Sequence, residues 1–94
     1  VNLAPDLSDT HYNLAKILYI QKQLKLAKLA IQEAIRLEPE IPDYFALLSV
    51  IELSQGNRDR ALSSAEQGLS LDAEHLLCLN LRAMALLRLH RYQE

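Results

Sequence analysis

Glycine, proline, tryptophan and cysteine are scarce in this chain: its 94 residues include two Gly, three Pro, no Trp, one Phe and one Cys. Each scarcity removes a class of function. A single cysteine, Cys78, excludes an internal disulfide framework. Its setting in Leu76-Leu77-Cys78-Leu79 predicts a buried, inert thiol. Two glycines do not make a Gly-rich phosphate cradle, and no sharp Gly-flanked turn presents a nucleophilic serine. Purely apolar runs stop after a few residues, far short of the roughly 20 that span a bilayer, so no membrane partner is expected. Neither sign of charge dominates: 10 Lys and Arg stand against 12 Asp and Glu, a formal net charge of −2. Nucleic-acid binders carry a basic face, and this balance speaks against one. No signal peptide opens the chain at Val1, which together with the unpaired thiol points to a cytoplasmic, reducing setting.

What is present favours helix. Leu and Ala abound, and strand formers never alternate with polar residues. The first helix is expected from Ser8, a good N-cap, to about Gln21, with Asp9 complementing the dipole. After a polar break at Gln21-Lys22-Gln23, Leu24 to Leu37 carries Ala27, Ala30, Ile31, Ala34 and Ile35 on one stripe. Pro39 ends this helix, and Pro42 opens a third that reaches about Gln55. Gly56 supplies a left-handed stop, and Asn57 is expected to cap a fourth helix over Arg58 to Leu71. A fifth begins near Glu74–Leu76 and reaches about Leu89. A turn at His90-Arg91 and the start of a sixth helix at Tyr92-Gln93-Glu94 complete the expectation.

Little here suggests chemistry. His75 and Cys78 share a helix face, but two ligands without a second pair fall short of a zinc site. No metal or other cofactor is therefore expected. The carboxylates Asp59, Glu66, Glu38 and Glu40 sit on polar faces or turns. The basic residues Lys22, Lys25 and Lys28 read as solvated surface. No catalytic residue is expected, and the chain reads as no enzyme by itself.

A period organises everything. Leu3-Ala4-Pro5-Asp6, Leu37-Glu38-Pro39-Glu40 and Leu71-Asp72-Ala73-Glu74 recur at a step of 34 residues. Asp9, Leu14, Ile17, Gln21, Ala27, Leu37 and Glu40 are each repeated identically one step later. A fixed step of this size marks stacked helical hairpins. Residues 8–41 and 42–75 then form two full units. Residues 76–94 begin a third, and residues 1–7 are the tail of an earlier one.

These units resemble the tetratricopeptide repeat. Its sparse pattern is met by His11, Leu14, Ala15 and Leu18, then Ala27, Ile31, Ala34 and Pro39. One step on stand Phe45, Leu48, Ser49 and Glu52, then Ala61, Ala65, Gly68 and Ala73. The third unit contributes Leu79, Arg82, Ala83 and Leu86. Glu52 replaces an aromatic and Arg82 a leucine. The resemblance implies an all-α fold, a right-handed superhelix of antiparallel helix pairs forming an αα-solenoid, in which small Ala27 and Ala61 let helices approach closely.

The resemblance also implies a function: a non-catalytic scaffold whose leading helices line a concave groove for a protein or peptide. Carried over by position, that groove takes Asp9, Tyr12, Lys16, Tyr19 and Ile20 from the first helix. The third helix gives Asp43, Ala46, Val50, Leu53 and Ser54, and the fifth gives Leu77, Asn80, Met84, Leu87 and Arg88. One subtype of the family clamps a terminal carboxylate with two Lys, two Asn and an Arg. The corresponding places here hold Tyr12, Lys16, Leu47, Leu77 and Leu81, so chaperone tails of that kind are not expected partners. The fifth helix, Leu76 to Leu89, is apolar nearly all round and belongs inside something. Self-association through it, burial within a longer solenoid, or a regulatory role within a larger enzyme are the alternatives.

Overall fold

The computed structural model describes residues 7–93, with side chains for residues 7–89. Five helices follow one another: α1 (Leu7–Ile20), α2 (Leu24–Leu37), α3 (Pro42–Ser54), α4 (Arg58–Leu71) and α5 (Leu76–Gln93). Their periodicity explains the packing. Ala27, Ala30, Ile31 and Ala34 form the buried face of α2, against which α1 lays Ala15. One step later Ala61 and Ala65 of α4 do the same for α3, and Ser49, in the place of Ala15, donates a hydrogen bond to the Ala61 carbonyl at 2.8 Å. Ala27 and Ala61 are both completely buried, as the close approach of paired helices requires.

Hairpins pack in chain order: α1 on α2, α2 on α3, α3 on α4 and α4 on α5. The leading helices also touch, α1 with α3 and α3 with α5, whereas α2 and α4 do not meet. The leading helices therefore crowd the inner side of a curved array and the second helices splay on the outer side. Two cores result. One joins α1, α2 and α3 around Ile31 and Ile51, and the other joins α3, α4 and α5 around Cys78 and Leu81. Burial of each large aliphatic side chain contributes roughly 1.5–3 kcal/mol.

Four local expectations need correction. Ser8 does not cap α1. It lies inside the helix, fully buried, and accepts a hydrogen bond from the Tyr44 hydroxyl at 3.1 Å. Asn57 stands at the N-cap of α4 without a side-chain capping bond, and its Nδ2 donates to Gln55 Oε1 at 3.4 Å. No turn breaks the chain at His90-Arg91, and α5 continues to Gln93. Nothing from Leu89 onward is Gly or Pro, so the helical ladder has no reason to stop there. The tail expected over residues 1–7 lies outside the described residues except for Leu7, which belongs to α1.

The fourth correction concerns charge. Lys22 and Lys25 are solvated, but Lys28 is not. Its ammonium lies 3.4 Å from Glu52 Oε2, and the two side chains are only 15% and 5% exposed. Ser64 Oγ donates to the other carboxylate oxygen at 2.5 Å. The acid standing in an aromatic's place is thus paired across α2, α3 and α4, which is what a buried charge requires.

Candidate functional site

The inner side of the array is built by α1, α3 and α5. Side chains spaced three or four residues apart share a helix face, so Tyr12, Lys16 and Tyr19 line up on α1, Val50 and Ser54 on α3, and Leu77, Leu81, Met84 and Arg88 on α5. Tyr19, Val50, Leu53, Met84 and Arg88, from all three helices, converge on one hollow of about 300 Å³, with Ser54, Leu77 and Leu81 completing its wall. A second hollow of about 410 Å³ adjoins it through Tyr19 and Ser54 and adds Ile20, Lys22 and Leu24.

Other groove candidates stand apart. Tyr12 is half-buried, its ring centroid 4.9 Å from that of Tyr44. Burial, and then the nearby Asp43, Tyr44 and Asp9, push its phenol pKa above the ordinary value. The Lys16 ammonium rests 4.6 Å from the Tyr12 ring centroid, a cation–π contact. Tyr12 and Lys16 thus form a neighbouring patch and line neither hollow. Ala46 is completely buried and Leu53 is 7% exposed, so Ala46 belongs to the core and Leu53 presents only an edge. The side chains at these positions turn toward α4 and α5, where they join the second core. Leu87 is 60% exposed and lines neither hollow.

At the N-terminal ends of these helices the chemistry is acidic and tied down. The backbone N–H of Cys78 donates to His75 Nδ1 at 3.2 Å, so that nitrogen carries no proton and His75 caps α5. The proton then sits on Nε2, which donates to Asp43 Oδ1 at 2.5 Å. Asp9 accepts from the Tyr44 hydroxyl at 3.4 Å. Tyr44 and His75 were not singled out as contacts between leading helices. In Tyr44 the signal was available: its spacing places it on the α3 face next to α1. No three His, Cys, Asp or Glu side chains among the described residues gather as a metal site needs. Among those residues no helix is long and apolar enough to cross a membrane.

Helix pairs that stack in chain order at a constant step, inner helices touching and outer ones apart, define a helical-repeat solenoid. Residues 8–41 match the family model of the tetratricopeptide repeat. Among solved structures, 41 matching chains include the Arabidopsis OM64 TPR domain, with a TM-score of 0.86 and 21% sequence identity. The likeness covers 92% of this chain and 71% of that one, and it shows the shared fold. No curated protein matches by sequence. The family serves in general as a protein-interaction scaffold and is generally non-catalytic.

Proposed function

We propose that this chain binds a peptide segment of a partner protein along the face formed by α1, α3 and α5, and catalyses no reaction itself. The observation that carries the reading is the convergence of Tyr19, Val50, Met84 and Arg88, from three successive leading helices, on one hollow. Tyrosine and methionine offer large, adaptable contact area. The hollow is at the lower end of the size that encloses a small ligand, and suits one or two apolar side chains of a peptide. Selection of peptides from a displayed random library tests this. Tyr19→Ala and Met84→Glu should each abolish enrichment while leaving the helical content unchanged. Enrichment that survives both substitutions overturns the reading. Tyr12 is a poorer probe, because its removal also disturbs Tyr44.

A second reading is favoured by α5. Leu76 is 71% exposed, Leu87 60% and Leu86 48%. Apolar exposure along a helix marks a candidate contact surface. Self-association through α5 would cover it. Sedimentation as a monomer at high micromolar concentration counts against this reading, and loss of a dimer in Leu86→Glu supports it.

A further inference from the structure

We propose that the partner segment is an apolar stretch flanked by acidic residues, seated so that its carboxylates meet Lys22 at one end of the groove and Arg88 at the other. The inference rests on the groove reading above and adds the chemistry of the ligand. It follows from where the charges lie. The two hollows share the wall residues Tyr19 and Ser54, and together they are taken as one trough. Its floor is apolar: Ile20 and Leu24 on one side, Val50, Leu77 and Met84 on the other. Its only charged lining residues among those described are Lys22 in the first hollow and Arg88 in the second. Among the described residues no Asp or Glu lines either one.

That local excess of positive charge opposes the net charge of −2 of the chain as a whole. The acids of the inner side sit at the opposite ends of the helices, where Asp43 is held by His75 and Asp9 by Tyr44. Arg88 and Lys22 are both exposed and make no ion pair among the described residues. Lys22 is held in a left-handed backbone conformation, φ 64°, two residues past the end of α1, which fixes where its side chain departs. A ligand carboxylate there gains a charge-assisted hydrogen bond without breaking one inside the protein. A basic ligand would meet two uncompensated cations, a repulsion that discriminates as effectively as attraction selects.

The test uses blocked, fluorescein-labelled peptides with a Leu-Phe-Leu centre, flanked on both sides by Asp-Asp, by Ser-Ser or by Lys-Lys, and a fourth with a Ser-Ser-Ser centre between Asp-Asp pairs. Fluorescence polarisation against the whole chain should rank the Asp-flanked apolar peptide first and the Lys-flanked one last. Arg88→Glu and Lys22→Glu should each weaken the Asp-flanked peptide by about tenfold or more, and the double substitution should reverse the preference. Raised salt should narrow the differences. Equal binding of all three apolar peptides overturns the acidic-flank inference while leaving the groove reading intact. Failure of every peptide, or binding of the serine-centred one as tightly as the others, overturns both.

Discussion

Gly68 of α4 lies so close to Cys78 of α5 that a Cβ on Gly68 would stand 2.5 Å from the Cys78 Sγ. Phe45 Cβ at 3.4 Å and the Pro42 carbonyl at 3.5 Å close the remaining space. Glycine at this helix position is therefore a packing requirement between α3, α4 and α5. Replacement of glycine by alanine within a helix ordinarily stabilises by up to about 1 kcal/mol. Overpacking here costs about 1–3 kcal/mol. Gly68→Ala should accordingly lower stability, read as a lower urea midpoint at an unchanged slope. Adding Cys78→Ala, which removes the obstructing sulfur, should cost less in that background than in the parent chain. A midpoint raised by Gly68→Ala would show that the helices separate without penalty.

The Lys28–Glu52 pair makes an asymmetric prediction. Lys28→Met leaves a carboxylate that is 5% exposed with only Ser64 as partner. Removing one member of a buried pair costs about 3–5 kcal/mol, and the partial exposure of Lys28 brings this toward about 2–3 kcal/mol. Replacing both, as Lys28→Met with Glu52→Phe, restores the apolar pattern and should be close to neutral or stabilising. Chemical denaturation of the parent and the two variants at neutral pH decides the matter. A double variant as unstable as Lys28→Met would mean that the pair itself, and not its disruption, governs this junction.

The same pair marks what sequence reasoning reached and what it missed. Helices over Leu24–Leu37 and Arg58–Leu71 were legible because small residues recur at packing positions, and Ala27 and Ala61 need no knowledge of their neighbours to be placed inside. Glu52 stood out as a departure, but its resolution was hidden. Lys28 lies on another helix, and only the crossing of α2, α3 and α4 brings it to the carboxylate. Caps failed for a related reason: Ser8 has the chemistry of a cap, yet tertiary contact with Tyr44 claimed it. At the candidate site, the expectation of Tyr19, Met84 and Arg88 on the inner face came from the family resemblance, carried over position by position. That Leu53 is buried and Leu87 lines neither hollow depends on how the helices rotate against one another, which sequence position alone does not determine.

Lys22 and Gly56 occupy equivalent places one repeat apart, and both are left-handed, at φ 64° and φ 81°. Each ends a leading helix so that the chain can reverse. A side chain there costs about 1 kcal/mol, and the space around Gly56 is open, so the effect is conformational and not steric. Gly56→Ala should destabilise by about 1 kcal/mol, whereas Lys22→Gly should stabilise by about 0.5–1 kcal/mol. Thermal unfolding of both variants supplies the check. Shifts of the same sign would show that something other than backbone conformation controls these turns.

Cys78 predicts a dependence on alkaline pH. Burial foremost, and then Asp43 and Asp72, push its thiol pKa above the ordinary value. The folded chain thus keeps a proton that the unfolded chain releases at about pH 8.5. The stabilising contribution is complete below that pH and is lost as pH rises through the raised folded-state value. Between about pH 7 and 9.5 the urea midpoint of the parent should fall more steeply than that of Cys78→Ala, which lacks the thiol. Tyr12, also raised, begins to add its own loss only near pH 10. The completely buried sulfur makes a second, independent demand: an aromatic disulfide reagent at pH 8 should modify the native chain only as fast as it opens, and the urea-unfolded chain at once. Rapid modification of the native chain would place Cys78 outside the α3–α4–α5 core.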